Sequence, residues 1–270
     1  MDPIDRLFDK LWINFCEMNP QASAIVEMLT KRGERIVNDH VAFRTVNDPR
    51  VSIDVLAKPF VDGGYTARGE YQFPQKKLFA RHYEHPLPDR PKVFISELLL
   101  EEMSSQLQST VKGLLSEGEE LISKSPELCL LGRPWTVTSE QYTTLSEESE
   151  YAGWLSAYGY CANHFTVFVN ALEHIGSLEE LNTLLKEQGF ELNSEGGEIK
   201  GSPADFLEQS STLASMIDVN FADGPLRIPG CYYEFAKRYP TADGTLFSGF
   251  VAKSADKIFQ STDRRNSADS

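Results

Sequence analysis

Apolar positions recur at helical spacing at the start of the chain: Ile4, Leu7, Phe8, Leu11 and Phe15, then Ile25, Met28 and Leu29. That period predicts helix over residues 3–32. The pattern then changes to alternation. Residues 36–46, containing "NDHVAFRTV" (38–46), read as a strand. A helix over roughly 50–62 follows, opened by Asp48-Pro49 and stopped by Gly63-Gly64. Strand candidates come next at 65–73, 77–83 and 92–100, with a Pro-rich stretch at 85–91 between the last two. Residues 101–160 read as a helical insert in which Tyr151, Trp154, Leu155 and Tyr158 pack one face onto the core. Alternation resumes in "ANHFTVFVN" (162–170), with a strand over 163–170 and a helix over roughly 177–188. That helix is opened by Ser177 with Glu180 three residues on, a capping box. Further strands are expected near 190–193, 213–220 and 230–238, and the Gly/Ser-rich stretch 194–203 reads as a turn. The polar tail, 263–270, is expected to be disordered.

The two halves repeat. Each begins with a histidine on a strand, His40 or His164, and reaches Gly plus an aromatic 24 or 25 residues later, at Gly64-Tyr65 or Gly189-Phe190. Each reads βαβββ. The expected fold is therefore α+β: two βαβββ modules of vicinal-oxygen-chelate type, forming a curled mixed sheet around a metal cleft. Residues 1–35 supply N-terminal helices, 36–100 module one, 101–160 the helical insert and 161–260 module two, all within a single catalytic domain over 1–262.

On a strand, residues two apart share a face. His40, Ala42 and Arg44 point one way, and His164, Thr166 and Phe168 form the matching set. Burying His and Arg costs several kcal/mol, about 2–7 per polar group, unless they are paired or ligating. Ala42 keeps the space between them open. Each module's last strand carries an acid among apolar residues, Glu97 in "FISEL" and Glu234 in "CYYEFA". His40, His164, Glu97 and Glu234 are thus the candidate ligands. Two imidazoles and one carboxylate suit a non-haem Fe(II) with open positions. A four-residue site suits a redox-neutral isomerase, lyase or hydrolase using another divalent metal. Glu97 has other readings: an ion-pair partner of Lys92 or Arg44, or a group that orients bound water. Arg44 is either a structural ion-pair partner or a clamp for a substrate carboxylate, which guanidinium matches two-pronged. His82, His85 and His174 read as surface residues, and the acidic run 147–150 as a solvated face.

Composition narrows the class. The chain has 270 residues, 41% hydrophobic and 24% charged, as expected of a soluble globular protein. Its net charge of −14 argues against a nucleic-acid partner, though not against a small anion. No stretch approaches the ~20 apolar residues a membrane span needs, and "MDPIDRLFDKLW" lacks the apolar core of a signal peptide. Cys16, Cys129, Cys161 and Cys231 are scattered with no CxxC pair, which reads as reduced thiols in a cytoplasmic protein. Nothing in the pattern fixes an oligomeric state.

The motifs "NDHVAFRT", "PKVFISELLLEEM", "NHFTVF", "PGCYYEFAKR" and "SADKIFQST" together resemble the 2-oxoadipate dioxygenase/decarboxylase family, the hydroxyglutarate synthases, over about residues 5–262. The resemblance implies Fe(II), or another divalent metal, on His40, His164 and Glu234. It places the substrate-carboxylate arginine at Arg44 and a substrate-contacting serine at Ser254. It also implies a small 2-oxo acid and dioxygen as reactants. The 2-oxo acid would be decarboxylated oxidatively and the shortened acid hydroxylated, as from 2-oxoadipate to 2-hydroxyglutarate. The chain looks like a compact member.

Overall fold

The computed structural model describes residues 2–262, so the tail expected to be disordered lies outside the described residues. The N-terminal helical pattern resolves into α1 (Pro3–Met18) and α2 (Pro20–Lys31), broken at Asn19. The cause is local: a residue before proline is driven out of the helical region, and Asn19 sits at φ −138°, ψ 72°, while Pro20 opens the next helix.

Module one runs β1 (Asn38–Val46), α3 (Ile53–Asp62), β2 (Thr66–Phe73), β3 (Leu78–Glu84) and β4 (Lys92–Leu98). The insert holds α4 (Ser105–Lys124), α5 (Ser139–Glu148) and α6 (Glu150–Tyr158). Every residue of α6 from Tyr151 to Tyr158 is buried, so this helix is enclosed on all sides rather than packed on one face. Module two runs β5 (Ala162–Phe168), α7 (Leu178–Glu187), β6 (Lys200–Ser202), β7 (Leu207–Ser211), β8 (Met216–Phe221), β9 (Gly224–Pro229) and β10 (Tyr232–Arg238). The helix α8 (Ala252–Ile258) follows.

Eight strands form one sheet in the order β2-β3-β4-β1-β5-β10-β7-β6, and β8-β9 make a separate hairpin. The order is a palindrome of the two modules. β1 pairs parallel with β4 and β5 parallel with β10, while β1 and β5 meet antiparallel at the centre. This is the curled, two-module vicinal-oxygen-chelate arrangement expected from the repeat.

Module two departs from its expected strands. Near 190–193 there is only an isolated bridge, Leu192 to Thr212. The expected strand at 213–220 is β8, which belongs to the hairpin. The stretch expected to be a turn contains β6. The strand that completes the module is β7, "LEQSS", whose five residues are all buried although four are polar.

One sheet face is covered by helices. Phe43 packs on Phe60 of α3 with ring centroids 5.5 Å apart, and Phe15 of α1 lies against Phe165 and Tyr233 at 5.1 and 6.1 Å. Each such fully buried side chain contributes about 1.5–3 kcal/mol. The opposite face, carrying His40, His164 and Glu234, is the concave one. No described helix is long and apolar enough to cross a membrane.

Candidate metal centre

Three neighbouring strands bring the site together. Ala42 of β1 lies opposite His164 of β5, and His40 lies opposite Thr166. Tyr232 and Glu234 of β10 lie beside His164 and Thr166. One ligand atom from each of His40, His164 and Glu234 falls within 4.8 Å of the others. His40 Nε2 is 3.5 Å from Glu234 Oε1, and His164 Nε2 is 3.4 Å from Glu234 Oε2. The residues are 2%, 4% and 0% exposed, so water does not solvate them.

Two β-bulges orient the imidazoles. The β1–β5 register slips between Asn38 and His40 and again between Ala42 and Phe43, which leaves Asp39 and Asn163 as the extra residues. A bulge re-aims its side chain. Asp39 Oδ1 lies 2.8 Å from His40 Nδ1, and Asn163 Oδ1 lies 3.1 Å from His164 Nδ1. With oxygens as acceptors, both Nδ1 atoms carry the proton and both Nε2 atoms present lone pairs toward Glu234. Thr166 Oγ1 lies 3.1 Å from His40 Nε2.

The protonation states fit. Burial pushes both histidines below their usual range, His164 well below, with His40 and the Arg44 cation adding to the effect. Burial also pushes the Glu234 carboxyl up to about 8, against the hydrogen bond from Gln209. The short His–Glu distances are therefore not salt bridges between charged groups. Gln209 Nε2 donates to Glu234 Oε1 at 2.6 Å, whereas Glu234 Oε2 is buried with no hydrogen-bond partner among the described residues. Two imidazole lone pairs and an orphan carboxyl oxygen converging in a buried pocket fit a cation. Two nitrogens and one carboxylate are the donor set of facial-triad Fe(II) sites, which leave positions open.

Glu97 is not part of this cluster. Along β4 it falls on the helix-facing side, where its Oε2 accepts from the backbone N–H of Ile53 at 3.0 Å and caps α3. The register shows why. His164 pairs with Tyr232 and Thr166 with Glu234, while His40 pairs with Lys92 and Ala42 with Phe94. Phe94 is thus the counterpart of Glu234, and a ring stands where a fourth ligand would.

Arg44 lies on the same strand face as His40 and is 1% exposed. Its Nη1 donates to Glu150 and its Nη2 to Thr262, both at 3.0 Å. Its guanidinium lies between the rings of Tyr151 and Trp154, 4.9 and 5.0 Å from their centroids. Its Nε is buried with no hydrogen-bond partner among the described residues. Glu150, read from sequence as solvated, is instead the ion-pair partner of this arginine. Ser254 is buried, but its hydroxyl abuts Gly201 of β6 rather than the cavity. The residues of this segment that line the cavity are Ala255, Ile258 and Phe259.

His82, expected at the surface, is 3% exposed and lies between Tyr71 Oη and Glu84 Oε1 at 2.9 and 3.0 Å. His174 is exposed and His85 partly so. Sequence reasoning missed Asp39, Asn163, Gln209 and Arg238. The first two had a signal, an acid or amide immediately before each repeated histidine.

The cavity over the cluster is small, about 20 Å³, and roofed by Phe94, Phe250 and Phe259. Volume alone would mislead, since a groove of about 690 Å³ lies on the opposite face, between α1 and the sheet, away from the histidines.

Comparison with known proteins follows the same lines. The model of a family described as 2-oxoadipate dioxygenase/decarboxylase matches residues 10–125 and 112–245. A chloroplastic 2-oxoadipate dioxygenase/decarboxylase of Arabidopsis thaliana is 37% identical over 276 residues, covering 92% of this chain and 74% of its own. The crystal structure of a Shewanella frigidimarina protein, provisionally named a hydrolase, superposes with a TM-score of 0.88 at 48% identity, covering 93% of this chain and 99% of that one. That of the Oryza sativa hydroxyglutarate synthase in complex with 2-oxoadipate superposes with a TM-score of 0.90 at 35% identity, covering 95% and 91%.

Proposed function

The chain belongs to the 2-oxoadipate dioxygenase/decarboxylase family, and we propose that it is a non-haem Fe(II) enzyme converting a 2-oxo acid like 2-oxoadipate, with dioxygen, into carbon dioxide and a shortened 2-hydroxy acid. For 2-oxoadipate the balance is one dioxygen consumed and one carbon dioxide released per 2-hydroxyglutarate. One oxygen atom enters the new carboxylate and the other the new hydroxyl. The observation that carries this reading is the donor set: two neutral imidazoles and one carboxyl group whose Oε2 has no hydrogen-bond partner among the described residues, with Phe94 in the place of a fourth ligand.

His40 Nε2, His164 Nε2 and Glu234 would hold the metal. Fe(II), when bound, supplies redox chemistry and open positions for a chelating 2-oxo acid and dioxygen. The protein's own residues do the rest. Asp39 and Asn163 fix the tautomers, and Gln209 orients the Glu234 carboxylate. Arg44 is the substrate clamp: its Nε–H is unspent, and Tyr151, Trp154, Glu150 and Thr262 hold the guanidinium still, so the remote carboxylate of the substrate is fixed in one orientation. Phe94, Phe250 and Phe259 keep bulk water from the reacting carbon. A cavity of about 20 Å³ holds about one water, so a six-carbon acid would have to displace the Phe250 and Phe259 rings.

The test is oxygen uptake and carbon dioxide release by anaerobically iron-loaded protein across a panel of 2-oxo acids. Turnover with a dicarboxylic 2-oxo acid supports the reading, and no oxygen consumption with any of them refutes it.

A further inference from the structure

The residues that precede the two histidines in the repeat are not equivalent. Behind His164 stands a neutral amide, Asn163, whose own Nδ2 has no partner among the described residues. Behind His40 stands a carboxylate, Asp39, and that carboxylate is itself gripped. Arg238 Nε donates to Asp39 Oδ2 at 2.6 Å, and Arg238 Nη2 donates to Asp39 Oδ1 at 2.7 Å. Both side chains are 2% exposed. The two-pronged contact from Arg238 is the geometry of a guanidinium on a carboxylate.

The same guanidinium has a second task. Its Nη1 donates to the carbonyls of Phe247 and Gly249, at 2.9 and 2.8 Å. It also lies 5.2 Å from the centroid of the Phe250 ring, which in turn meets His40 edge-on at 4.8 Å. His40 is thus held at Nδ1 by Asp39 and across its ring by Phe250, and one arginine secures both. His164 is held by the amide and by a stacked Tyr232, 4.6 Å away, and meets the His40 ring edge-on at 5.5 Å.

We propose that Asp39 and Arg238 are positioning residues that make His40 the fixed, more strongly donating imidazole of the pair and tie its orientation to the position of the 247–250 segment. A charged acceptor at Nδ1 raises the basicity of Nε2 more than a neutral amide does, and such supporting groups tune metal affinity about 10–100-fold. The inference rests on the metal reading of the site.

Co(II) is the probe, titrated anaerobically into the full chain and followed by visible absorption and equilibrium dialysis, with folding checked by circular dichroism. Wild-type protein binds one Co(II) per chain. Asp39→Asn, which gives His40 the same amide that His164 has, weakens binding about 10–100-fold and shifts the Co(II) absorption bands. Asn163→Ala weakens it far less. Arg238→Lys keeps the cation but loses the two-pronged grip. It weakens binding several-fold and exposes residues 247–250 to protease; if Asp39→Asn does not fold, this variant decides. Unchanged affinity and spectrum in Asp39→Asn or, failing that, in Arg238→Lys would overturn the inference, as would an Asn163→Ala loss equal to that of Asp39→Asn. A merely structural role would lower stability without moving the spectrum. Failure of wild-type protein to bind Co(II) would instead contradict the metal reading, and the inference with it.

Discussion

Phe94 of β4 stands where Glu234 stands in β10: each lies beside the residue two positions after its module's histidine, Ala42 or Thr166. The repeat therefore supplies two imidazoles but only one carboxylate. Three ligands leave room on a divalent metal for substrate chelation and dioxygen together, which a four-ligand site would restrict.

Loss of His164 removes one of three donors without unfolding the sheet, because its neighbours Phe165 and Val167 pack on the other face. His164→Ala is expected to fall below stoichiometric iron binding, measured by metal analysis after dialysis, while retaining the wild-type circular dichroism spectrum.

On the proposed reading, Arg44 serves substrate binding and not metal binding. Arg44→Met keeps much of the side-chain volume and loses the guanidinium. It is expected to retain one iron per chain and to raise the KM for a dicarboxylic 2-oxo acid by about tenfold or more, since a charged hydrogen bond is worth about 1.5–3 kcal/mol. Steady-state kinetics beside metal analysis checks it, and normal KM would refute the assigned role.

Glu97 distinguishes a cap from a ligand. Glu97→Ala leaves the Ile53 N–H without its acceptor and is expected to cost about 1 kcal/mol of stability. Metal affinity stays at the wild-type value. Denaturant unfolding and metal titration of the same sample give both numbers.

The pH dependence of the metal-free protein follows from Glu234, whose carboxyl is pushed up to about 8 in the folded state from an ordinary 4.5. The native form keeps a proton that the unfolded chain releases, so this contribution to stability is complete below the ordinary carboxylate range and lost as pH rises to about 8. The two histidines act with the opposite sign, but only below their ordinary value of 6.5. Between 6.5 and 8 the Tm of metal-free protein is therefore expected to fall, and Glu234→Gln to remove the slope. Metal uptake must displace the same proton, so apparent metal affinity rises with pH up to about 8 and then levels.

Much of the site could be read in the sequence because it repeats. The histidine strands and the acid in "CYYEFA" follow from strand parity, which also puts Arg44, two positions beyond Ala42, on the same strand face. Glu97 did not, because "FISEL" and "CYYEFA" look alike while strand pairing sets the register three residues earlier, at Phe94, and a shift of odd length changes the face. β7 escaped because it has no apolar alternation: Glu208, Gln209, Ser210 and Ser211 are polar and buried, and Gln209 is there for Glu234. Asp39 and Asn163 reach the rings through bulges, which depend on how β1 pairs with β5 rather than on either strand alone.

The most direct test of a three-ligand iron centre acting as a dioxygenase is turnover under ¹⁸O₂ with 2-oxoadipate, with oxygen uptake, carbon dioxide release and product mass followed together. One dioxygen per carbon dioxide, with one labelled atom in the new carboxylate and one in the new hydroxyl, is the predicted result. Conversion of the 2-oxo acid without oxygen uptake, or a product carrying no label, would contradict it.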